Sequence, residues 1–130
     1  MHIITIITTL MTNNIAIIGC PVTFYLPVKQ VSNGVESDVD LSIFDDISVL
    51  IMIGYEGVDI IKQYELSGSQ LSIHDTGVLE LKMSKADTLL IPCETSKDVY
   101  YSVVLTSNGS ECATDQALLI KFVKQAFSTL

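Results

Sequence analysis

The chain has 130 residues and a formal net charge of −8, from seven Lys, no Arg and 15 acidic residues. One domain's length of chain with 48% hydrophobic and only 17% charged residues is not the composition of a disordered segment. The acidic balance and the lack of Arg exclude a nucleic-acid binder, which gains affinity by setting cations against phosphates.

Ile, Val and Thr supply 39 residues and Ala only five. β-branched side chains are stiff at χ1 and pack well on a pleated surface, so the chain is expected to be mostly β. Residues 1–20, MHIITIITTLMTNNIAIIGC, open without a basic residue, and Thr12-Asn13-Asn14 splits the apolar run. Neither a secretion signal nor a membrane span is expected. The segment reads as a β-rich arm whose Ile3, Ile4, Ile6, Ile7 and Leu10 must pack on their own domain or on a neighbour. Residues 21–130 read as the domain proper.

From Pro21 to Val28, Val22, Phe24, Leu26 and Val28 alternate with Thr23 and Tyr25. Two prolines remove backbone donors, so the expectation is an edge strand or an interrupted one. Ser32-Asn33-Gly34 is a turn. Ile47, Val49, Ile51 and Ile53 mark the next strand. Leu50 and Met52 make its other face apolar too, so both faces need cover, from within or from a partner. A strand near 59–65 follows, then the turn His74-Asp75-Thr76-Gly77, then a strand from Val78 to Met83 with Leu79, Leu81 and Met83 inward. Ser84 as N-cap with Asp87 at the third helical position predicts one short helical turn near 84–88. Asp98 to Thr106 is the clearest strand, and Asn108-Gly109 closes it as a hairpin. The regular spacing of strands and turns fits a sandwich or barrel. In residues 114–130, Leu118, Leu119, Phe122, Val123, Ala126 and Phe127 fit a helical period, while Leu118, Ile120 and Phe122 also fit one face of a strand.

Little in the chain offers reaction chemistry. Cys20, Cys93 and Cys112 have no metal spacing, and an odd number excludes a complete disulfide framework. They read as reduced, small apolar side chains. A nucleophile needs a base beside it. His2 lies in the arm, and His74 reads as a surface turn residue, although a couple with Cys93 or Cys112 is conceivable. From Glu36 to Asp75 there are nine acids against Lys62 alone, so this segment carries the whole net charge. It lacks the fixed offsets of a calcium-binding helix–loop–helix and reads as a solvated rim. Any self-assembly must keep such rims apart or meet them with Lys. Paired carboxylates for sugar hydrolysis would want stacking aromatics, and there is no Trp. Asn108-Gly109-Ser110 matches a glycosylation acceptor but is equally an ordinary hairpin turn.

The run PVTFYLPVKQVSNGVESDVDLSIFDDISVLI, with its "DL" step and its strand after "DI", is followed by DTGVLELKMSKADTLLIPCETSKDVYYSVVLTSNGSE. Together they resemble the small immunoglobulin-like β-sandwich domains of tailed-bacteriophage virion proteins, notably the N-terminal domain of upper-baseplate and related tail proteins, over about residues 21–125. Cys93-Glu94 departs from that pattern, which has a Gly-containing turn there, and the second domain that commonly accompanies such domains is not expected. The resemblance implies an antiparallel immunoglobulin-like β-sandwich with an N-terminal β-rich arm, and it turns the tail towards a strand pairing with YYSVVL. It implies a non-enzymatic structural subunit of the head, neck or tail, found in the virion and in the host cytoplasm during assembly. Such a subunit would contact copies of itself and other virion proteins through Ile3, Ile4, Ile6, Ile7, Leu10, Leu50 and Met52. The alternative is a stand-alone immunoglobulin-like adhesion or ligand-binding module. Neither reading needs a catalytic residue, cofactor, metal, membrane, nucleic acid or small-molecule substrate.

Overall fold

The computed structural model describes residues 3–6, 15–54 and 59–124. Its strands are β1 (Ile3–Ile6), β2 (Ile15–Ile17), β3 (Val22–Ser32), β4 (Val35–Asp38), β5 (Asp46–Ile53), β6 (Asp59–Glu65), β7 (Leu71–Asp75), β8 (Val78–Met83), β9 (Ser96–Ser107), β10 (Ser110–Ala113) and β11 (Ala117–Val123). A 3₁₀ turn covers Leu41–Ile43, and the helix α1 is one turn, Lys85–Thr88.

Two sheets form. The first runs β1-β3-β8-β7, with β4 also beside β3; the second runs β2-β11-β9-β5-β6, with β10 also beside β9. Every pair is antiparallel except β2–β11, which is parallel. The fold is an immunoglobulin-like β-sandwich, and the apolar N-terminal segment contributes one strand to each sheet.

Period-two alternation explains the core. Leu79, Leu81 and Met83 of β8 and Val99, Tyr101, Val103 and Leu105 of β9 are all buried, as are Ile47, Val49 and Ile51 of β5. The two inner faces interlock, as side chains of packed sheets do. Phe24 of the first sheet meets Phe122 of the second edge to face, with ring centroids 6.4 Å apart.

The hairpin turns follow from their residues. Asn33-Gly34 and Asn108-Gly109 each place two residues at positive φ (53° and 77°, 52° and 78°). These two-residue loops join Ser32 to Val35 and Ser107 to Ser110. Such turns match the twist of the strands they join, and Asn and Gly tolerate that backbone best.

Among the described residues, the strand around Pro27 is an edge over 22–27, where only β8 pairs with it, and is flanked on both sides from Val28 onwards. β3 is flanked on one side by β8 over 22–27 and then by β4 over 29–32, while β1 lies on its other side over 28–31. It is interrupted in the sense that its partner changes at Pro27–Val28, where Val28 N–H donates to the Gly77 carbonyl at 2.7 Å. The tail is strand: β11 pairs with the lower half of β9 through a bulge between Leu118 and Ile120. The helical period of residues 114–130 loses because strand pairing buries Leu119, Ile120 and Phe122 against the core; residues 125–130 lie outside the described residues. The helical turn forms with a full capping box between Ser84 and Asp87.

Candidate functional site on the outer face of the second sheet

The outer face of the second sheet carries one transverse apolar row. Leu118 on β11 is opposite Tyr100 on β9, Tyr100 is opposite Met52 on β5, and Met52 is opposite Ile60 on β6. Four neighbouring strands thus present apolar side chains in one line, about 14 Å across at the usual strand spacing. The ends of the row are open, with Ile60 56% and Leu118 49% exposed. Its middle is more covered: Met52 is buried at 6%, and Gln116 lies over it, its Nε2 3.8 Å from the Met52 sulfur and 2.9 Å from the Gly54 carbonyl. Half-buried Leu50 adjoins the row, flanked by Ser102 and Gln63.

On its other side the row falls into a polar hollow of about 320 Å³ lined by Gly54, Ser96, Lys97, Asp98, Tyr100 and Lys121. The Lys121 ammonium lies 3.9 Å from the Asp98 carboxylate. At the β6 end, exposed Glu65 is opposite Ser48 on this face, whereas Asp59 is opposite Ile53 and belongs to the strand's other face.

A second constellation closes the β6–β7 edge of the sandwich. Asp87 is buried, and its carboxylate accepts from Lys62 Nζ at 2.7 Å, Tyr64 Oη at 2.8 Å, Gln70 Nε2 at 2.6 Å and the Ser84 N–H at 3.2 Å. Lys62 and Tyr64 belong to the second sheet, whereas Gln70 and Ser84 flank strands of the first. One carboxylate thus stitches the two sheets together. Burial alone would push the Asp87 carboxyl up; the hydrogen bonds from Lys62, Gln70, Tyr64 and Ser84 outweigh it and hold its pKa at about 2. Burial first, then the hydrogen bond to Asp87 and the charge that carboxylate carries, push the Tyr64 phenol well above its ordinary value. Four donors from both sheets converge on this one carboxylate, which makes the cluster a structural joint.

The histidine expectation changes in detail. His74 lies on β7 rather than in the following turn, because the strand continues through Asp75 and the chain reverses at Thr76-Gly77. Its ring lies 4.7 Å from that of Tyr25, and its Nδ1 is 3.9 Å from Glu80. That contact is on the first sheet. Cys93 instead sits near the Phe122 carbonyl and Cys112 on β10, both with the second sheet, so His74 joins neither. All three cysteines are free. The acids of segment 36–75 serve local ends: Asp38 pairs with Lys29, Asp40 caps the 3₁₀ turn, and Asp45 and Asp75 accept backbone N–H groups. Among the described residues, no group of three or more His, Cys, Asp or Glu could hold a metal ion. No described helix is long and apolar enough to cross a membrane.

The residues expected at an interface separate in space. Leu50 and Met52 lie on the outer face of the second sheet, whereas Ile3, Ile4 and Ile6 lie on β1, paired with Val31, Gln30 and Val28 of the first sheet. Ile7 and Leu10 fall outside the described residues. Ile60, Tyr100 and Leu118 were not visible as members of the face. The one signal pointing to it was the two-sided apolarity of β5.

No protein-family model and no curated protein matches the chain. Among the solved structures that match is AggA, the major subunit of aggregative adherence fimbriae type I from Escherichia coli, at 12% identity and a TM-score of 0.32, covering 95% of each chain. A likeness at that level carries no argument about what this chain does. The match is nevertheless to a fimbrial subunit and not to a phage protein, and the phage assignment is corrected accordingly. The resemblance to baseplate, tail and head accessory proteins is withdrawn. With it go the virion partners and the location in virion and host cytoplasm. The sequence cues behind it, an Asn-Gly hairpin and a capped turn before a long strand, are local devices that any sandwich of this kind needs.

Proposed function

We propose that the chain is a non-enzymatic, stand-alone immunoglobulin-like adhesion or ligand-binding module that engages a protein partner through the outer face of its second sheet. The observation that carries this reading is the apolar row Ile60–Met52–Tyr100–Leu118, open at both ends on a face that the sandwich core does not use. A β-sandwich needs only its inner faces for stability, and contiguous apolar surface kept in water marks contact sites. In this reading residues 1–20 form an attachment segment and residues 21–130 the binding domain.

The test is surface display. Cells carrying the domain should adhere to one another, or to surfaces coated with protein, above the level of bare cells. Ile60→Asp with Leu118→Asp should remove the difference without loss of the folded circular-dichroism spectrum. Adhesion equal to that of bare cells would sink the reading.

A further inference from the structure

We propose that the lateral edge of the sandwich, where β6 ends one sheet and β7 the other, is built to refuse strand pairing with a second copy of the chain, and that Lys62 is its guard. The inference is independent of the adhesion reading. Among the described residues, neither β6 nor β7 has a partner on its outer side. Such an edge presents a row of unpaired N–H and C=O groups to any other strand. On β6 that row can be located. Leu66 N–H donates to the Ile47 carbonyl, and the opposed pairs Tyr64–Val49 and Lys62–Ile51 follow at steps of two. Backbone groups alternate in direction along a strand, so Gln63 and Glu65 turn theirs to the open side. Ile60, Ile61 and Tyr64 favour strand, and no proline lies between residues 59 and 75. Something other than proline must protect the edge.

Two features do so. Each edge strand carries the extra residue of a bulge, Ile61 on β6 and His74 on β7. A bulge bends its strand and breaks the straight run of groups that a neighbour would match. The second feature is that Lys62 points inward. It is opposite Ile51, which is fully buried, and two residues from Tyr64, which is buried on the same face. Its ammonium lies 5.4 Å from the centre of the Tyr64 ring and donates to Asp87. The Lys62 side chain is still 34% exposed, so water solvates it from the open side. A strand added to β6 would cover that opening and strip the remaining water from a cation, which opposes the pairing. The joint that stitches the two sheets thus also closes their edge to a second copy.

The experiment is sedimentation velocity on the full chain from about 5 to about 500 μM, with folding checked by circular dichroism. Lys62→Val puts a strand-favouring apolar residue where the cation was, and should self-associate about 10-fold more tightly than the wild type. Asp87→Asn breaks the same ion pair but keeps the cation, and should sediment as the wild type does. Adding Gln63→Pro to Lys62→Val removes an N–H from the open side and no bond to β5, and should return association to the wild-type level. Deleting His74 takes the bulge out of β7 without touching the Asp87 cluster, and should raise association as well. Wild-type sedimentation of Lys62→Val overturns the guard, and if that variant does not fold, wild-type sedimentation of the His74 deletion overturns the protected edge. An equal gain in Lys62→Val and Asp87→Asn also overturns it, because lost stability then drives the association. A gain that survives Gln63→Pro places the contact elsewhere and does the same.

Discussion

The Asp87 corner and the outer face of the second sheet invert the ordinary rule in opposite directions. One puts a charge inside, and the other puts apolar side chains outside. They differ in closure. Asp87 is surrounded by its own donors, four groups converging on two oxygens, so nothing from outside is needed. The row from Ile60 to Leu118 is covered at its middle and about half exposed at its ends. A closed inversion marks a structural joint, because a buried charge is tolerated only when paired and hydrogen-bonded. An open inversion marks a place for a partner, because exposed apolar area gains free energy when another surface covers it.

The largest expected effect breaks the closed side. Asp87→Asn removes the charge that Lys62 faces and replaces an acceptor-only carboxylate with an amide that must point two donors at donors. A loss of about 2–3 kcal/mol in unfolding free energy is expected, at the lower end for a broken buried pair because the Lys62 side chain is 34% exposed. Urea titration measures it. A change below about 0.5 kcal/mol would mean that the two sheets are not held through this carboxylate.

Acid titrates the same joint without mutation. The folded pKa of Asp87, about 2, lies below its ordinary 3.8. Its contribution is therefore complete above about pH 4 and is lost as pH falls towards 2. At about 1.4 kcal/mol per unit, that is about 2 kcal/mol. The acid slope of stability should flatten in Asp87→Asn over this window, and an unchanged slope would assign the acid sensitivity to other carboxylates. Smaller again is Tyr64→Phe, expected to cost about 1 kcal/mol for one hydrogen bond, since Lys62, Gln70 and Ser84 still hold the carboxylate.

The two regions were unequally legible in the sequence, for a physical reason. Strand periodicity and turn chemistry are local, so β6, β8 and β9, both Asn-Gly hairpins and the Ser84–Asp87 cap could be read from neighbouring residues. The closure of Asp87 could not: its partners Lys62, Tyr64 and Gln70 lie 17 to 25 residues away, and only the crossing from β6 to β7 brings them under the cap. The outer row is harder still. Leu118, Tyr100, Met52 and Ile60 become neighbours only once register is set on four strands, and two bulges, Leu118/Ile120 and Ile51/Met52, shift that register. Each bulge changes which side chain faces outward. The tail shows the same limit, since its helical period was real but pairing with β9 decided the outcome. The phage resemblance failed because it was built from the legible local part alone.

The smallest expected effect on stability belongs to the open side, and its smallness is what separates the two regions. Ile60→Thr and Leu118→Thr keep a β-branched residue, or introduce one, where the strand favours it. Both side chains are about half exposed, so little folded-state burial is lost. Each should change unfolding free energy by no more than about 0.5 kcal/mol. The double variant should nevertheless lose most adhesion in the display assay, because it removes both open ends of the row. Thermal melts of the wild type and the variants at one protein concentration measure the first quantity, and the display assay measures the second. A large drop in stability would show that Ile60 and Leu118 belong to the core's support, and the contrast between a closed joint and an open face would collapse. Unchanged stability with full adhesion would leave the row as surface without a partner and move the contact elsewhere, with the apolar N-terminal segment next in line.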